Sequence, residues 1–233
     1  MAFALGNVES GALLERLRAF WFPLGEDSAR VIRAIRTKEK GFMRMSPEAH
    51  WFPFTAEQVI HSTCSSFRWE ARLDPGKLTS PSVIDAYAEG HGQITVKLGV
   101  ISVRKVTGAE VDKGEMQRYL SSIILFPPIL LNHPALECVA TGPLHLRLRD
   151  RNDETGAAVD LEISEQGCPL VCRADRPRMV GKQAVVTPWS ATCSDFYVRQ
   201  GMRLPGNAEA LWHLPQGSFS YYRSEIISYE AVD

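Results

Sequence analysis

Apolar residues recur at two different spacings along the chain. Near the N-terminus the spacing is three or four residues, which predicts a helix within residues 10–36. Ser10 is a suitable N-cap, and Pro23 interrupts the pattern. The apolar positions of this helix are Leu13, Leu14, Leu17 and Trp21. A second short helix is predicted to follow, with one face formed by Val31, Ile32 and Ile35.

From Gly41 the period changes to two, which predicts half-buried antiparallel strands. Alternating apolar residues run from Phe67 to Leu73 and again from Ile94 to Val100. The clearest pair of strands covers residues 144–149 and 159–163, and a turn at residues 152–156 joins them as a hairpin.

One helical stretch interrupts the strands and ends at Pro127. Its apolar positions are Met116, Tyr119, Leu120, Ile123 and Ile124. With about nine to eleven strands, this pattern predicts a mainly β (α+β) fold: an open or partly closed antiparallel barrel, or half-barrel, wrapped on a central helix. The predicted organisation is an N-terminal helical segment, residues 1–37, packed on a single β-rich domain, residues 38–233.

Charge and composition narrow the possible partners. The chain has 26 basic and 27 acidic residues in a mixed order, which predicts no nucleic-acid partner and no polybasic membrane patch. The longest apolar stretch contains Pro127 and Pro128, so no integral membrane segment is expected. The N-terminus lacks a basic region ahead of an apolar core, which argues against a signal peptide. Five cysteines without paired spacing predict reduced thiols and a cytoplasmic location.

The segment 83–92 is the first candidate for chemistry. As a strand it would place Asp85, Tyr87 and Glu89 on one face. If that face lines a cavity, the two carboxylates can act as acid and base, because unequal burial would separate their pKa values. If the face is exposed, it is simply a solvated or structurally hydrogen-bonded surface.

A second candidate is the short run from Asp195 to Arg199. Alternation places Asp195, Tyr197 and Arg199 on one face. The guanidinium could bind a carboxylate or phenolate ligand, or the two charged residues could form a salt bridge near the turn at Gly201.

Other chemistry-bearing residues give weaker patterns. The six histidines are scattered, so a metal site would need ligands from distant strands. Cys168 and Cys172 lack the spacing of a redox motif and are expected to be core or strand residues. Tryptophans could line a pocket or form core, namely Trp51, Trp69, Trp189 and Trp212. No cofactor is predicted.

The chain resembles an uncharacterised, mostly bacterial family of domains of unknown function. The resemblance covers roughly residues 38–230 and depends on the shared order of short motifs. These are Gly41-Phe-Met-Arg44, Trp51-Phe-Pro-Phe-Thr-Ala56, Phe67-Arg-Trp-Glu-Ala71, Asp85-Ala-Tyr87, Glu89-Gly-His-Gly92, Gly114-Glu-Met-Gln-Arg-Tyr-Leu120, Pro188-Trp189, Asp195-Phe-Tyr197, Gly201-Met-Arg-Leu-Pro205 and Trp212.

The chain also departs from the pattern of that family. After the Arg-Tyr-Leu run the family usually has an acidic residue and then Trp-Pro, where this chain has Ser121, Ser122 and Phe126-Pro127. If that acid is catalytic in relatives, this chain lacks it. The strand-rich pattern with a mid-chain helix is also similar to half-barrel proteins that carry lipophilic molecules, which is a likeness of fold.

Three functions agree with these patterns. The first is a cytoplasmic half-barrel that binds an apolar or amphipathic small molecule, with Asp85 or Arg199 orienting its polar end. The predicted ligand-binding residues are Trp51, Trp69, Tyr87, Tyr119, Tyr197, Arg199 and Trp212. The second is a cofactor-independent cyclase, isomerase or hydrolase of a hydrophobic metabolite. Its predicted catalytic residues are Asp85, Glu89 and Arg118, with Arg199 as an alternative cation.

The third function is that of a partner-binding domain, in which the protein's own side chains fill the cup and an apolar patch lies outside. The oligomeric state stays open in all three cases.

Overall fold

Most of the chain lies in one curved antiparallel sheet. The computed structural model describes residues 2–74, 80–181 and 183–232. The helices are α1 (Ala2–Trp21), α2 (Asp27–Arg30), α3 (Ala109–Ser121) and α4 (Pro128–Asn132), with a 3₁₀ turn at Ser122–Ile124. The strands are β1 (Ala34–Met43), β2 (Phe52–His61), β3 (Phe67–Leu73), β4 (Pro81–Ala88), β5 (His91–Leu98), β6 (Ile101–Val106), β7 (Leu136–Gly142), β8 (His145–Asp150), β9 (Val159–Ile163), β10 (Pro169–Val180), β11 (Gln183–Ser194), β12 (Tyr197–Arg199), β13 (Met202–Leu204), β14 (Asn207–Leu214) and β15 (Gly217–Val232).

Thirteen strands form the main sheet in the order β6-β5-β4-β3-β2-β1-β15-β14-β11-β10-β9-β8-β7, and β12 pairs with β13 separately. Within the described ranges β6 and β7 do not pair with each other, so the sheet stays open. This confirms the prediction of a mainly β, open antiparallel half-barrel with a helix between its halves. The predicted hairpin of β8 and β9 and the mid-chain helix α3 are also present.

The predicted second helix is wrong beyond Arg30. Helix α2 ends there, and Ile35 lies in strand β1, which pairs with β2 on one side and β15 on the other. Backbone pairing along both edges of a strand outweighs a helical spacing carried by only three residues. The division between residues 37 and 38 stays a prediction, although β1 runs across it.

The inner face of the sheet is filled mainly by apolar side chains. Alternation along β2 and β3 directs one set of residues inward, among them Phe54, Ile60, Phe67 and Trp69. Helix α3 packs against this face and adds Met116, Tyr119 and Leu120 to the same core. In the part of the chain that the structure describes, no helix combines the length and the apolar character needed to span a membrane.

Strands β1 and β15 come very close together at Gly41. A Cβ atom on Gly41 would lie only 1.9 Å from the carbonyl oxygen of Arg223. The register also shifts between Lys38 and Glu39, as at a β-bulge, which increases the local twist. We call this contact between Gly41 and Arg223 the crease, and only glycine permits so close an approach of the two backbones.

Candidate functional site

A group of charged and polar side chains lies between the inner face of the sheet and α3. We call this group the polar cluster. It consists of Glu39, Gln58, Trp69, Asp85, Glu115, Arg118, Arg176 and Tyr222. Charged groups are rarely buried in a core unless they are paired. The polar cluster is therefore a candidate functional site.

Arg118 is at the centre of the polar cluster. Its Nη1 donates a hydrogen bond to Asp85 Oδ2 in an ion pair, and Nη2 lies 3.4 Å from Gln58 Oε1. The guanidinium carbon also lies 4.9 Å from the ring centre of Phe67 and 5.0 Å from that of Trp69. Ring faces and a carboxylate together stabilise the cation in this largely apolar interior.

Glu39 forms the second anchor of the cluster. Trp69 Nε1 donates to Glu39 Oε1 at 2.5 Å, and the Tyr222 hydroxyl donates to Glu39 Oε2 at 2.6 Å. Trp69 is also the cross-strand partner of Asp85. Two neutral donors therefore satisfy the Glu39 carboxylate, and the indole connects it to the Asp85–Arg118 pair.

Several polar atoms of the cluster have no hydrogen-bond partner within the described residues: Asp85 Oδ1, Glu115 Oε2 and Arg176 Nε. Arg176 is otherwise held by the Gly114 carbonyl, at 2.7 Å from Nη2, and by the Trp189 ring at 4.7 Å. Unsatisfied buried polar atoms are costly, so each requires an explanation. About a fifth of the Asp85 and Arg118 side chains, 18% and 21%, is accessible to solvent.

Burial changes the acidity of both carboxyl groups next to Arg118. Desolvation raises the pKa of Asp85, and the charges of Arg118 and Arg176 oppose this effect. Desolvation and the nearby Asp85 charge raise the pKa of Glu115 to about 7. Glu115 can therefore exchange a proton near neutral pH.

The raised pKa of Glu115 predicts that stability falls as pH rises from about 4.5 to about 7. In this window the folded protein binds a proton that the unfolded chain has released, so the unfolded state is favoured as pH increases. Glu115→Gln should remove the slope and raise the free energy of unfolding above pH 7 by about 2 kcal/mol. Urea unfolding across this range measures the effect, with the exposed Glu48→Gln as control. An unchanged slope in Glu115→Gln would contradict the assignment.

A cavity of about 690 Å³ opens at one end of the half-barrel. We call it the mouth cavity. It is formed by residues 64–66, 87–91, 150 and 152–155, with Met116 from α3. Tyr87 and Met116 are both buried and form its apolar floor, whereas the rim is mostly polar. The cavity volume lies within the range of ordinary small-molecule sites.

The mouth cavity adjoins the polar cluster. Tyr87 and Asp85 are two residues apart in β4 and therefore share a face. Tyr87 pairs with Phe67, whose ring lies beside the Arg118 guanidinium. Tyr87 therefore connects the wall of the mouth cavity to the polar cluster through Phe67.

A serine, a histidine and an aspartate meet at the rim of the mouth cavity, but they do not form a hydrolytic triad. The Ser65 hydroxyl donates to Asp150 Oδ2 at 2.6 Å, and His133 Nε2 lies 3.1 Å from the same hydroxyl. The backbone N–H of Ala135 donates to His133 Nδ1, so in the neutral ring Nε2 carries the proton. His133 is therefore a donor to Ser65 and cannot take its proton. These hydrogen bonds connect Ser65, His133 and Asp150, which come from three separate parts of the chain.

The structure brings some of the predicted site residues together. Asp85, Arg118 and Trp69 meet in the polar cluster, and Tyr87 lies beside them. Glu89 does not share their strand face, which corrects the expectation from alternation. It follows the end of β4 with a φ of 52° and is exposed in the turn, because β4 must reverse there into β5. It lines the mouth cavity from the rim.

The other predicted ligand-binding residues lie elsewhere. Tyr119 is fully buried, and its hydroxyl donates to the His61 carbonyl at 2.9 Å. The guanidinium carbon of Arg44 lies over Trp51, 4.6 Å from the centre of the Trp51 ring. Trp212 stacks on Tyr221. None of these three contacts is with the polar cluster.

The run from Asp195 to Arg199 also lies apart from the cluster. Asp195 precedes β12 with a φ of 55° and accepts a hydrogen bond from Asn207 Nδ2, so it does not continue the strand face. Arg199 lies over the Tyr197 ring, 5.7 Å from its centre. Both residues belong to the small two-stranded sheet.

Glu39, Glu115 and Arg176 are cluster residues that the sequence patterns did not reveal. A signal exists for Glu39, since it falls on the inward set of β1 with Ile35 and Thr37. A charged residue at an inward position of an alternating strand is expected to be buried, so it needs a hydrogen-bond or ion-pair partner there. The partners of Glu115 and Arg176 come from distant strands, and local spacing cannot identify them.

A separate trough of about 760 Å³ crosses β2, β1, β15, β14 and β11 at residues 40–42, 53–55, 192–194, 207–209 and 223–225. Two ion pairs cross its strands, Lys40–Glu225 and Arg223–Glu209. These four side chains alternate with inward residues such as Glu39 and Phe54, so they lie on the outer face. The inward Phe54 also lines the trough and stacks on Tyr222 of the polar cluster, with ring centres 5.3 Å apart, so the trough and the cluster adjoin.

An open antiparallel sheet wrapped on one helix, with charged groups between them, defines a half-barrel fold. A LolA superfamily protein from Nitrosomonas europaea has a similar structure, with a TM-score of 0.53 and 10% identity over 96% of this chain and 94% of that chain. A DUF1329 family protein from Desulfovibrio piger is similar too, with a TM-score of 0.53 and 9% identity over 95% and 92%. At such identities the likeness shows the fold alone.

The chain belongs to a family of unknown function, DUF6544, whose model matches residues 20–224. This confirms the resemblance inferred from the motifs to a family of domains of unknown function. No curated protein matches the chain.

Proposed function

We propose that this protein binds an apolar or amphipathic small molecule that enters the half-barrel through the mouth cavity. The observation that carries the proposal is the position of that cavity. The buried Tyr87 and Met116 line it, and Asp85, which pairs with Arg118, precedes Tyr87 by two residues on the same face of β4. The sequence pattern is also similar to half-barrels that carry lipophilic molecules, and the fold is of that type.

The polar cluster suits one end of an amphipathic ligand. Asp85 Oδ1 and Glu115 Oε2 are acceptors without a partner, whereas the Nη atoms of Arg118 are already occupied. A hydroxyl or amine donor would satisfy these acceptors, and the apolar remainder of the ligand would contact Tyr87 and Phe67. The proposed location is the cytoplasm, which five free cysteines support.

Blocking the mouth should abolish binding without unfolding the protein. Ala88 is exposed at the end of β4 and lines the cavity. Ala88→Trp is expected to weaken binding of the apolar fluorophore N-phenylnaphthylamine by about tenfold or more, about 1.4 kcal/mol. Ala231→Trp, at another exposed strand alanine, should bind like the wild type. Equal affinities in the two variants would contradict entry through the mouth.

A second candidate is a cofactor-independent enzyme of the same shape. The observation that favours it is the pair of buried carboxyl groups with raised pKa values, Asp85 and Glu115, beside the cations Arg118 and Arg176. Glu115, with a pKa of about 7, can act as a general acid near neutral pH, and the guanidinium groups can stabilise negative charge in a transition state. In this version Glu115 takes the role that the sequence suggested for Glu89.

Native mass spectrometry of protein purified from its own host tests both candidates. A co-purifying amphipathic compound that denaturation releases would support the binding proposal. When the compound is returned to fresh protein, a binder leaves its mass unchanged, whereas an enzyme converts it. A protein that carries no compound and binds no N-phenylnaphthylamine would contradict both.

A further inference from the structure

The hairpin of β5 and β6 exposes an unusual number of apolar side chains. Strand β6 is the edge of the main sheet, and all its residues except Val106 are exposed. The exposed fractions are 98% for Val100, 67% for Ile101, 59% for Val103 and 49% for Leu98. We call residues 97–105 the hairpin tip. An apolar surface of this kind, which the described residues leave exposed, indicates an interaction site.

All the charged side chains of the same hairpin are basic. Pairing of the two strands places Arg104 opposite Val96, Lys105 opposite Thr95 and Lys97 opposite Ser102. No acidic residue occurs between His91 and Gly108. The neighbouring strand β4 contributes only Asp85, which is paired with Arg118 in the polar cluster. The sequence patterns predicted no polybasic patch because the chain has no long run of one charge sign; the hairpin adds Lys97 to the consecutive Arg104 and Lys105.

An apolar tip with three cations and no acid fits the surface of an anionic membrane. Apolar side chains enter the boundary between headgroups and acyl chains, while lysine and arginine bind the phosphates. A second copy of the chain fits less well, because a symmetric pairing of β6 with β6 would place like charges together. We propose that the hairpin tip docks the protein on anionic phospholipid bilayers. This docking does not rest on the proposed function, since it needs no occupant in the cup.

Vesicle flotation tests the proposal with two kinds of vesicle, phosphatidylcholine alone and an equimolar mixture with phosphatidylglycerol. We expect the full-length protein to bind the anionic vesicles at least about tenfold more strongly, because each basic residue near the surface adds to the attraction. Ile101→Ser/Val103→Ser and Arg104→Glu/Lys105→Glu should each reduce binding by about tenfold or more. Each double variant changes only exposed residues, so both should fold.

Matched controls lie far from the hairpin in sequence. Leu24→Ser/Val31→Ser removes two other exposed apolar side chains, and Arg33→Glu/Lys38→Glu reverses two other exposed cations. Both controls should bind like the wild type. The proposal is overturned if the wild type does not bind anionic vesicles, if it binds both vesicles equally, or if controls and hairpin variants lose binding alike. It is also overturned if the hairpin variants abolish a dimer while vesicle binding is absent.

Discussion

Replacing Arg118 with methionine is expected to lower the free energy of unfolding by about 3 kcal/mol. The substitution keeps most of the side-chain volume but leaves Asp85, only 18% exposed, without its cation. A carboxylate left unpaired in such a place must lose its charge or admit water, and either costs stability. Urea unfolding at neutral pH measures the loss.

A matched control is the exposed Arg147–Asp160 ion pair, which has a distance of 2.8 Å and an exposed Arg147 side chain. Arg147→Met should cost less than about 1 kcal/mol, because solvent screens that pair. The double variant Asp85→Leu/Arg118→Met should recover much of the lost stability, since it removes both buried charges. If Arg118→Met cost no more than Arg147→Met, the Asp85–Arg118 pair would behave as a surface pair in solution.

Gly41→Ala is expected to destabilise the protein strongly, although it adds only one methyl group. The new Cβ would lie 1.9 Å from the Arg223 carbonyl oxygen, which is backbone and cannot rotate away. Strands β1 and β15 would have to separate at the crease, at a cost of about 3 kcal/mol or more. Thermal and urea unfolding of the purified variant measure this loss.

The comparison for this prediction is Gly11→Ala in helix α1. A Cβ there has no atom within 4 Å, and alanine favours helix, so stability should rise by up to about 1 kcal/mol. The two glycine variants should thus change stability in opposite directions. A Gly41→Ala protein as stable as the wild type would mean that β1 and β15 are not in close contact at this position.

The spacing of apolar residues along the chain was sufficient to predict much of the fold. Helix α3 and the β8–β9 hairpin were predictable because their apolar residues alone show which face is buried. The start of β1 was not predictable, because Ile35 is held in a strand by β2 and β15, whose residues are remote in sequence. Glu89 was misplaced because alternation does not show where a strand turns.

The site was predictable only in part, for a similar reason. Asp85 and Arg118 stand out as charged residues within apolar patterns, and the structure does join them. Their surroundings come from four separate parts of the chain: Glu39 in β1, Trp69 in β3, Glu115 in α3 and Arg176 in β10. These residues meet only because the whole sheet curves, and the sequence of a single segment does not determine that curvature.

The order of strands also determines how the sheet must assemble during synthesis. Strand β15 is the last in the chain, yet it is the strand that joins β1 to β14. Residues 34–106 can therefore form one half of the sheet early, but the open edge of β1 has no partner until residues 217–232 leave the ribosome. Folding of the complete half-barrel must wait for this contact between opposite ends of the chain, which makes it intrinsically slow and leaves the nascent chain exposed to wrong pairing.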